Sequence, residues 1–314
     1  MMDNWTLNLK PETKVRLGPD GVHLFDRVSG LNLLIDEIKV PEVSWATAPR
    51  QVSVALTNVC DLSCPYCYAP KNSASLDFDK LVSWLLELDG HGCLGIGFGG
   101  GEPTLYRHFV DLCRTITQAT KLAVTFTTHA HHLNDKYLAA LAGNVNFVRI
   151  SMDGIGNTYE RLRRKSFESL RHRLETIHLL AAFGINFVVN GETLPDLDAA
   201  ITIASETGAK EFLLLPEQPV RGKGGIDAKT AEKLRQWVAN YHGGVPLTVS
   251  EVGAVGMPFC NPFKSEVGLQ AYAHIDASGM LKRSSYDNQG VAIGTHGIIK
   301  TLELLQNYKQ EGGQ

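Results

Sequence analysis

Residues 51–68 read QVSVALTNVCDLSCPYCY, an apolar run that ends in three cysteines spaced C-x3-C-x2-C. The run Val52–Thr57 has strand composition, and Asn58 marks its passage into a loop. Cys60, Cys64 and Cys67 then fall within eight residues, whereas Cys93, Cys113 and Cys260 are scattered. Three thiolates on one tight loop can converge on a single inorganic centre, and thiolates favour zinc or iron–sulfur clusters. Structural zinc wants four protein ligands, and no further Cys or His follows until His91 and Cys93. Three ligands on a four-iron cluster leave one iron open to another molecule.

Working outward from this loop, short strands alternate with amphipathic helices. Strand candidates are Val52–Thr57, Gly95–Gly99, Leu122–Thr127, Phe147–Ser151, Ile185–Asn190 and Phe212–Leu215. Several are apolar throughout, as expected of strands covered on both faces. Helix candidates are Phe78–Leu88, Leu105–Thr117, Asp135–Leu141, Phe167–Phe183 and Leu197–Thr207. Phe167, Leu170, Leu174, Ile177 and Leu180 recur at spacings of three and four, which predicts one buried stripe. Six consecutive β–α units imply a parallel sheet with right-handed crossovers, either an incomplete barrel or an open doubly wound sheet.

The flanks read differently. Residues 14–36 alternate around Gly18-Pro-Asp-Gly21 and predict a hairpin. AYAHIDASGMLKRSSY (271–286) alternates around Asp276-Ala-Ser-Gly279 and predicts a second one, followed by a helix over Gly297–Lys309. The expected organisation is an N-terminal β-hairpin extension (1–50), a barrel (51–243) and a small C-terminal α+β cap (244–314).

In 314 residues, 30 Lys+Arg against 33 Asp+Glu leave a net charge of −3. Weak acidity argues against a nucleic-acid-coating role, which needs clustered basic residues. No apolar run reaches membrane-spanning length, and MMDNWTLNLKPETK lacks the apolar core of an export signal. The expectation is a cytoplasmic protein with no nucleic-acid or membrane partner.

In parallel β/α folds chemistry gathers at the C-terminal ends of the strands. Here those ends carry the cysteine loop, Gly100-Gly101-Glu102-Pro103, Thr127-Thr128-His129, Ser151-Met152-Asp153-Gly154, Asn190-Gly191-Glu192 and Pro216-Glu217. Six polar strand ends on one rim suggest a shared pocket. Gly95-x-Gly97-x-x-Gly100 also satisfies a dinucleotide fingerprint. The acidic residue expected about twenty positions later is missing, so nicotinamide binding is set aside.

The C-x3-C-x-aromatic-C loop after the first strand, with Tyr66 at the aromatic position, resembles the radical S-adenosylmethionine (radical SAM) enzymes. Gly100-Gly101-Glu102-Pro103 matches that family's second motif, and the resemblance extends over roughly residues 50–220. It implies a partial (β/α)6 TIM-like barrel with one [4Fe-4S] cluster held by Cys60, Cys64 and Cys67. S-adenosyl-L-methionine would chelate the open iron, and its reductive cleavage would yield a 5′-deoxyadenosyl radical that takes a hydrogen atom from substrate. A sulfonium is hard to reduce, so such a centre needs low potential and exclusion of water.

The resemblance also implies cofactor contacts from Tyr66, Gly100, Gly101 and Glu102, from Ser151 and Asp153, and from Arg163, Asn190 and Leu215. Competing readings are a turn cap for Ser151 and Asp153, Arg164 in place of Arg163, and plain core for Leu215. His129, His131 and His132 form a cluster read as a surface loop, with His129 the candidate for substrate contact. Cys260 is read either as a hydrogen-atom donor to a product radical or as a buried apolar residue.

The 260–294 stretch resembles in outline the SPASM/twitch extension of the peptide- and small-molecule-modifying branch. Only Cys260 remains there, with serines at 284 and 285, so no auxiliary cluster is expected. The expected activity is that of an oxidoreductase or isomerase on a peptide, or alternatively on a sugar or nucleotide, with an electron donor such as flavodoxin or ferredoxin. A zinc-binding or regulatory module without catalysis is the reading from another class.

Overall fold

A computed structural model describes residues 9–220 and 222–307. Its first elements are three antiparallel strands, β1 (Thr13–Gly18), β2 (Gly21–Asp26) and β3 (Asn32–Ile35), in the order β1-β2-β3. The expected hairpin is thus a three-stranded meander. It is fastened beneath the main sheet by long basic side chains. Lys14 reaches the carbonyl of Cys93 and the Asp89 carboxylate. Arg16 donates to the carbonyls of Ala48, Gly92 and Gln270 and pairs with Glu266 at 2.9 Å. Arg27 donates to the carbonyls of Thr117 and Leu122. Most of these acceptors lie just before the N-terminal ends of strands, with Asp89 and Thr117 in the last turns of the helices that lead into them, so the meander forms a floor.

The middle of the chain then alternates: β4 (Gln51–Thr57), α1 (Phe78–Gly90), β5 (Gly95–Gly100), α2 (Phe109–Ala119), β6 (Ala123–Thr128), α3 (Asp135–Leu141) and β7 (Phe147–Ser151). It continues with α4 (Gly156–Arg163), α5 (Phe167–Ile177), β8 (Ala182–Val189), α6 (Leu197–Glu206), β9 (Phe212–Pro216), α7 (Ala228–Ala239) and β10 (Leu247–Val249). Strands β4 to β10 pair in sequence order and in parallel. This is the α/β, TIM-like arrangement expected, with β10 as a seventh parallel strand. Three residues between Pro246 and Ser250 are too short to have signalled it. Asp77, Asn134, Ser166 and Asp227 cap α1, α3, α5 and α7 by accepting a first-turn N–H.

Two helices escaped the sequence reading. In α4 only Tyr159 and Leu162 are buried, and in α7 only Thr230 and Leu234, so neither shows a legible apolar stripe. The helix expected to run to Phe183 stops at Ile177, because Phe183 belongs to β8, where it pairs with Val148. The expected strand Ile185–Asn190 accordingly begins earlier, at Ala182, and ends at Val189.

The C-terminal elements are β11 (Tyr272–Ile275), β12 (Met280–Lys282), β13 (Val291–Ala292) and α8 (Gly297–Asn307). The expected hairpin is present as β11 and β12, but it is built onto the main sheet, with β11 parallel to β4. The sheet order is β10-β9-β8-β7-β6-β5-β4-β11-β12-β13, open at both edges. Glu87 of α1 accepts from the N–H groups of Ile298 and Ile299 and so caps α8. The expected end of that helix, at Lys309, lies outside the described residues.

One face of the sheet supplies the core. Val54, Phe98, Val124, Ile150, Ile185 and Leu214 pack on the helices and are almost fully buried. Alternate residues, among them Ser53, Gly97, Thr125, Arg149, Asn186 and Leu213, occupy the opposite, concave face and are half-buried. That face is largely polar. Among the described residues no helix is long and apolar enough to cross a membrane.

Candidate active site

The cysteine loop leaves the C-terminal end of β4 and returns to it. Asn58 N–H donates to the Ala74 carbonyl, Leu76 N–H donates to the Leu56 carbonyl, and Thr57 Oγ1 donates to the Ala74 carbonyl. Within the loop, Cys67 N–H donates to the Cys64 carbonyl at 3.2 Å. All three cysteines are half-buried free thiols. Burial raises the Cys60 and Cys64 thiols above their ordinary range, which makes them neutral until a positive centre is present. Leu62 N–H points at Cys60 Sγ at 3.4 Å, and Lys71 Nζ lies 3.6 Å from Cys67 Sγ. The Leu62 N–H and the Lys71 charge both favour the Cys60 thiolate over its thiol.

The Gly100-Gly101 pair is the seat of this loop. Gly101 N–H donates to the Thr57 carbonyl and Glu102 N–H to the Val59 carbonyl. A Cβ on Gly101 would stand 2.2 Å from Val59 O, and one on Gly100, whose φ is +112°, would stand 2.3 Å from Thr57 O. Glycine is therefore demanded by the cysteine loop's own backbone.

Glu102 is 1% exposed. Its Oε1 accepts from Thr104 Oγ1 at 2.6 Å and Thr128 Oγ1 at 2.7 Å, and its Oε2 accepts from His129 N–H at 3.1 Å. The side chain is consumed by the protein and is not free for the expected cofactor contact.

His129 is 3% exposed, which corrects the reading of its cluster as a surface loop. Its Nδ1 accepts from His131 N–H, so in the neutral ring the proton is on Nε2. That nitrogen meets Asp61 Oδ1 at 2.9 Å and Glu102 Oε2 at 3.3 Å. With both nitrogens occupied, His129 joins the cysteine loop to the second motif and presents nothing to a substrate. Burial works against the Asp61 charge, but Lys165 at 3.0 Å and His129 outweigh it and hold the carboxyl well below the usual range. Cys60 Sγ, Asp61 and His129 lie within 4.8 Å of one another, the one donor set close enough for a single metal ion among the described residues. Its carboxylate and imidazole already satisfy each other.

A second anchor ties the loop to β7 and α4. Tyr66 Oη donates to Asp153 Oδ2 at 2.7 Å, Arg163 Nη2 pairs with the same oxygen, and Val188 N–H donates to Oδ1 at 2.7 Å. Burial opposes the Arg163 charge, yet Asp153 and Tyr66 keep it protonated. Its Nε is buried without a partner among the described residues. The rival Arg164 is an exposed αL residue ending α4. Asp153 is thus neither a turn cap nor an open contact.

Ser151 and Leu215 are half-buried on the concave face, while Leu214 is core. Asn190 is less available. Its Oδ1 accepts from the N–H groups of Glu192 and Thr193 and its Nδ2 donates to Glu217. Cys260 is exposed, against the buried reading, and no contact joins it to these residues. Phe263, three residues on, packs on Arg50 at the N-terminal end of β4, away from the cysteine loop. A groove between α6 and α7, lined by Asp198, Trp237 and Tyr241, lies on the helical exterior.

Sequence reasoning missed Asp61, Lys71 and Lys165, charged residues that look like ordinary solvent-facing ones until the loop folds. It also missed Tyr68, whose ring packs 4.9 Å from that of Tyr286 and brings the C-terminal segment against the cysteine loop.

The donor set fits a cluster with a carboxylate-bearing ligand beside it. Two of the three half-buried thiols, Cys60 and Cys67, face N–H donors, and a charged guanidinium keeps a buried nitrogen unpaired. The comparisons agree. The Radical SAM superfamily model matches residues 54–202. The chain is 31% identical over 148 residues to the Bacillus subtilis sporulation killing factor maturation protein SkfB, covering 45% of this chain and 35% of that protein. It is 38% identical over 111 residues to the Rhodopseudomonas palustris PqqA peptide cyclase, covering 34% and 29%. It is 30% identical over 125 residues to the Chlorobaculum tepidum GTP 3′,8-cyclase, covering 39% and 36%. The chain thus spans about a third of the length of these curated relatives.

Among solved structures, Streptococcus suis SuiB superposes with a TM-score of 0.73 at 13% identity, over 97% of this chain and 89% of that one. SuiB has also been solved with S-adenosylmethionine and with its precursor peptide SuiA. That likeness establishes the fold. The cofactors are a [4Fe-4S] cluster and S-adenosylmethionine. The thiol loop and the glycine seat both fall within residues 54–202, and over that stretch this chain carries a radical SAM superfamily domain.

Proposed function

We propose that this chain is an enzyme that abstracts a hydrogen atom from a peptide substrate, with Cys60, Cys64 and Cys67 as its cluster ligands. One observation carries the reading: three half-buried thiols share a loop seated on Gly100 and Gly101, at the end of a largely polar concave face. When bound, the reduced cluster and S-adenosylmethionine supply a carbon-centred radical that takes hydrogen from a substrate carbon. The chain's own residues hold and screen that chemistry. Leu62 N–H and Lys71 stabilise the thiolate at Cys60, and Lys71 stands beside Cys67. Arg163, fixed by Asp153, keeps Nε for an anionic group such as the cofactor carboxylate.

Ser151 and Leu215 lie where they can line the cofactor's remaining surface, and the Gly100-Gly101-Glu102 backbone can meet its amine. The Tyr68–Tyr286 pair packs the C-terminal segment against the loop. A small reduced protein of the flavodoxin or ferredoxin kind is the fitting electron donor.

The peptide class is supported by the identity with a peptide cyclase. The similarity to a GTP 3′,8-cyclase favours a second reading, a nucleotide substrate. Deuterated peptides and deuterated GTP, incubated separately with the reduced holoenzyme, distinguish them. Deuterium in 5′-deoxyadenosine from a peptide is the expected result. Label from GTP alone replaces it with the nucleotide reading, and no 5′-deoxyadenosine in any arm overturns both.

A further inference from the structure

β11 sits beside β4 in parallel register, with Tyr272 opposite Gln51 and His274 opposite Ser53. Ala273 and Ile275 point into the core, so Tyr272 and His274 share the concave face with Ser53. There they form a hydrogen-bonded row: Ser53 Oγ lies 2.5 Å from Tyr272 Oη and 2.6 Å from His274 Nδ1. The adjoining strand β5 bears only glycine on this face, at Gly95, Gly97 and Gly99, and a Cβ on Gly99 would meet nothing within 4 Å. Gly97, opposite Ser53, has Thr125 Oγ1 and Gln51 Nε2 within 4 Å of where a Cβ would stand, so the open space lies beside Gly99, two residues further along the strand. The row lies about 13 Å along β4 from the end that carries the cysteine loop, at roughly 3.3 Å per residue.

The row can pass its protons in either direction; we take the one from Tyr272 to His274, which leaves a ring N–H free for a guest. Tyr272 Oη has Ser53 Oγ as its acceptor, and no other partner among the described residues. Ser53 then gives its single proton to His274 Nδ1. Burial depresses His274 to about 4, so the ring is neutral near pH 7 and its one proton is on Nε2. That nitrogen has no acceptor among the described residues. Across the same face, Asn186 Oδ1 and Thr248 Oγ1 are buried without partners on either side of Leu213. A concave face that keeps polar atoms in reserve on both flanks suits a polar guest.

We infer that the Ser53–Tyr272–His274 row is a binding site for a carbonyl or carboxylate oxygen of the substrate, which accepts the His274 Nε2 proton. The inference rests on the reading that substrate enters this concave face. Tyr272 and Ser53 act as positioning residues, since they select the tautomer.

Long-range proton–nitrogen correlation on the 15N-histidine-labelled holoprotein tests it, with N-methylacetamide and acetate as probes of the two oxygen types. The expected spectrum shows His274 neutral and protonated on Nε2, a saturable shift of that proton with one probe, and loss of the tautomer preference in Ser53→Ala. A saturable shift with N-methylacetamide selects a carbonyl, and one with acetate a carboxylate. A ring protonated on Nδ1 in the unmodified protein, or no shift with either probe, overturns the inference. Reductive cleavage of S-adenosylmethionine by the same sample is measured in parallel. Cleavage without a probe shift sinks this site alone, whereas absence of cleavage sinks the functional reading beneath it.

Discussion

Tyr66 Oη and Asp153 Oδ2 are 2.7 Å apart, so the centre of the cysteine loop is anchored to the end of β7 by one short hydrogen bond. Asp153 is fully buried and also holds Arg163, which makes Tyr66 a structural partner of the guanidinium that faces the site. Tyr66→Phe removes a donor from a buried carboxylate and is expected to cost about 1–3 kcal/mol of stability. The same substitution loosens Arg163, so affinity for S-adenosylmethionine falls while iron content holds. Denaturant unfolding and equilibrium binding on one preparation read both effects.

Gly101 and Gly99 make a matched pair. Gly101→Ala drives a methyl into Val59 O and is expected to displace the cysteine loop, so iron incorporation drops although every thiol remains. Gly99→Ala meets open space, so full iron loading is expected, with a narrower concave face. Iron assay after anaerobic reconstitution separates them, and equal loading of the two would contradict the role of Gly101 as the seat.

His129 tests positioning against substrate contact. In His129→Ala, Glu102 and Asp61 lose their shared partner, and a buried carboxylate stripped of a hydrogen-bond donor is destabilising. Lower iron retention and a shifted cluster potential are the expected outcome, measurable without any substrate. A variant with unchanged iron and potential but impaired turnover would return His129 to the substrate side.

Much of this was legible before folding. C-x3-C-x2-C and Gly100-Gly101-Glu102-Pro103 each follow an apolar run, and a strand end is where a parallel fold exposes its chemistry. Arg163 was separable from Arg164 only once the αL turn at Arg164 was seen. The roles of Glu102 and His129 were not legible, because sequence cannot say which polar residues face inward to one another. β11 was read as part of a separate cap because an alternating hairpin carries no mark of the strand it will join. Ser53 is more than 200 positions from Tyr272 and His274 and meets them only through that pairing.

Acid should weaken the fold in a definite window. Burial depresses His274 to about 4, and burial with the neighbouring His129 and Lys165 does the same to His131, against an ordinary value of 6.5. Between those limits the unfolded chain binds more protons than the folded one, so this contribution is complete above pH 6.5 and fades as pH falls towards 4. Unfolding free energies across that range should decline with acidification, and His274→Gln should flatten the decline. An equal slope in the variant would contradict the neutral buried ring.

The most direct test of the central claim is iron bound after oxygen-free reconstitution, compared for the unmodified chain and for Cys60→Ala, Cys64→Ala and Cys67→Ala. The account predicts brown protein with a band near ~400 nm that each of these substitutions abolishes. Cys93→Ala, Cys113→Ala and Cys260→Ala should keep it. Colourless protein carrying one zinc, or a band that survives loss of all three loop thiols, would contradict it.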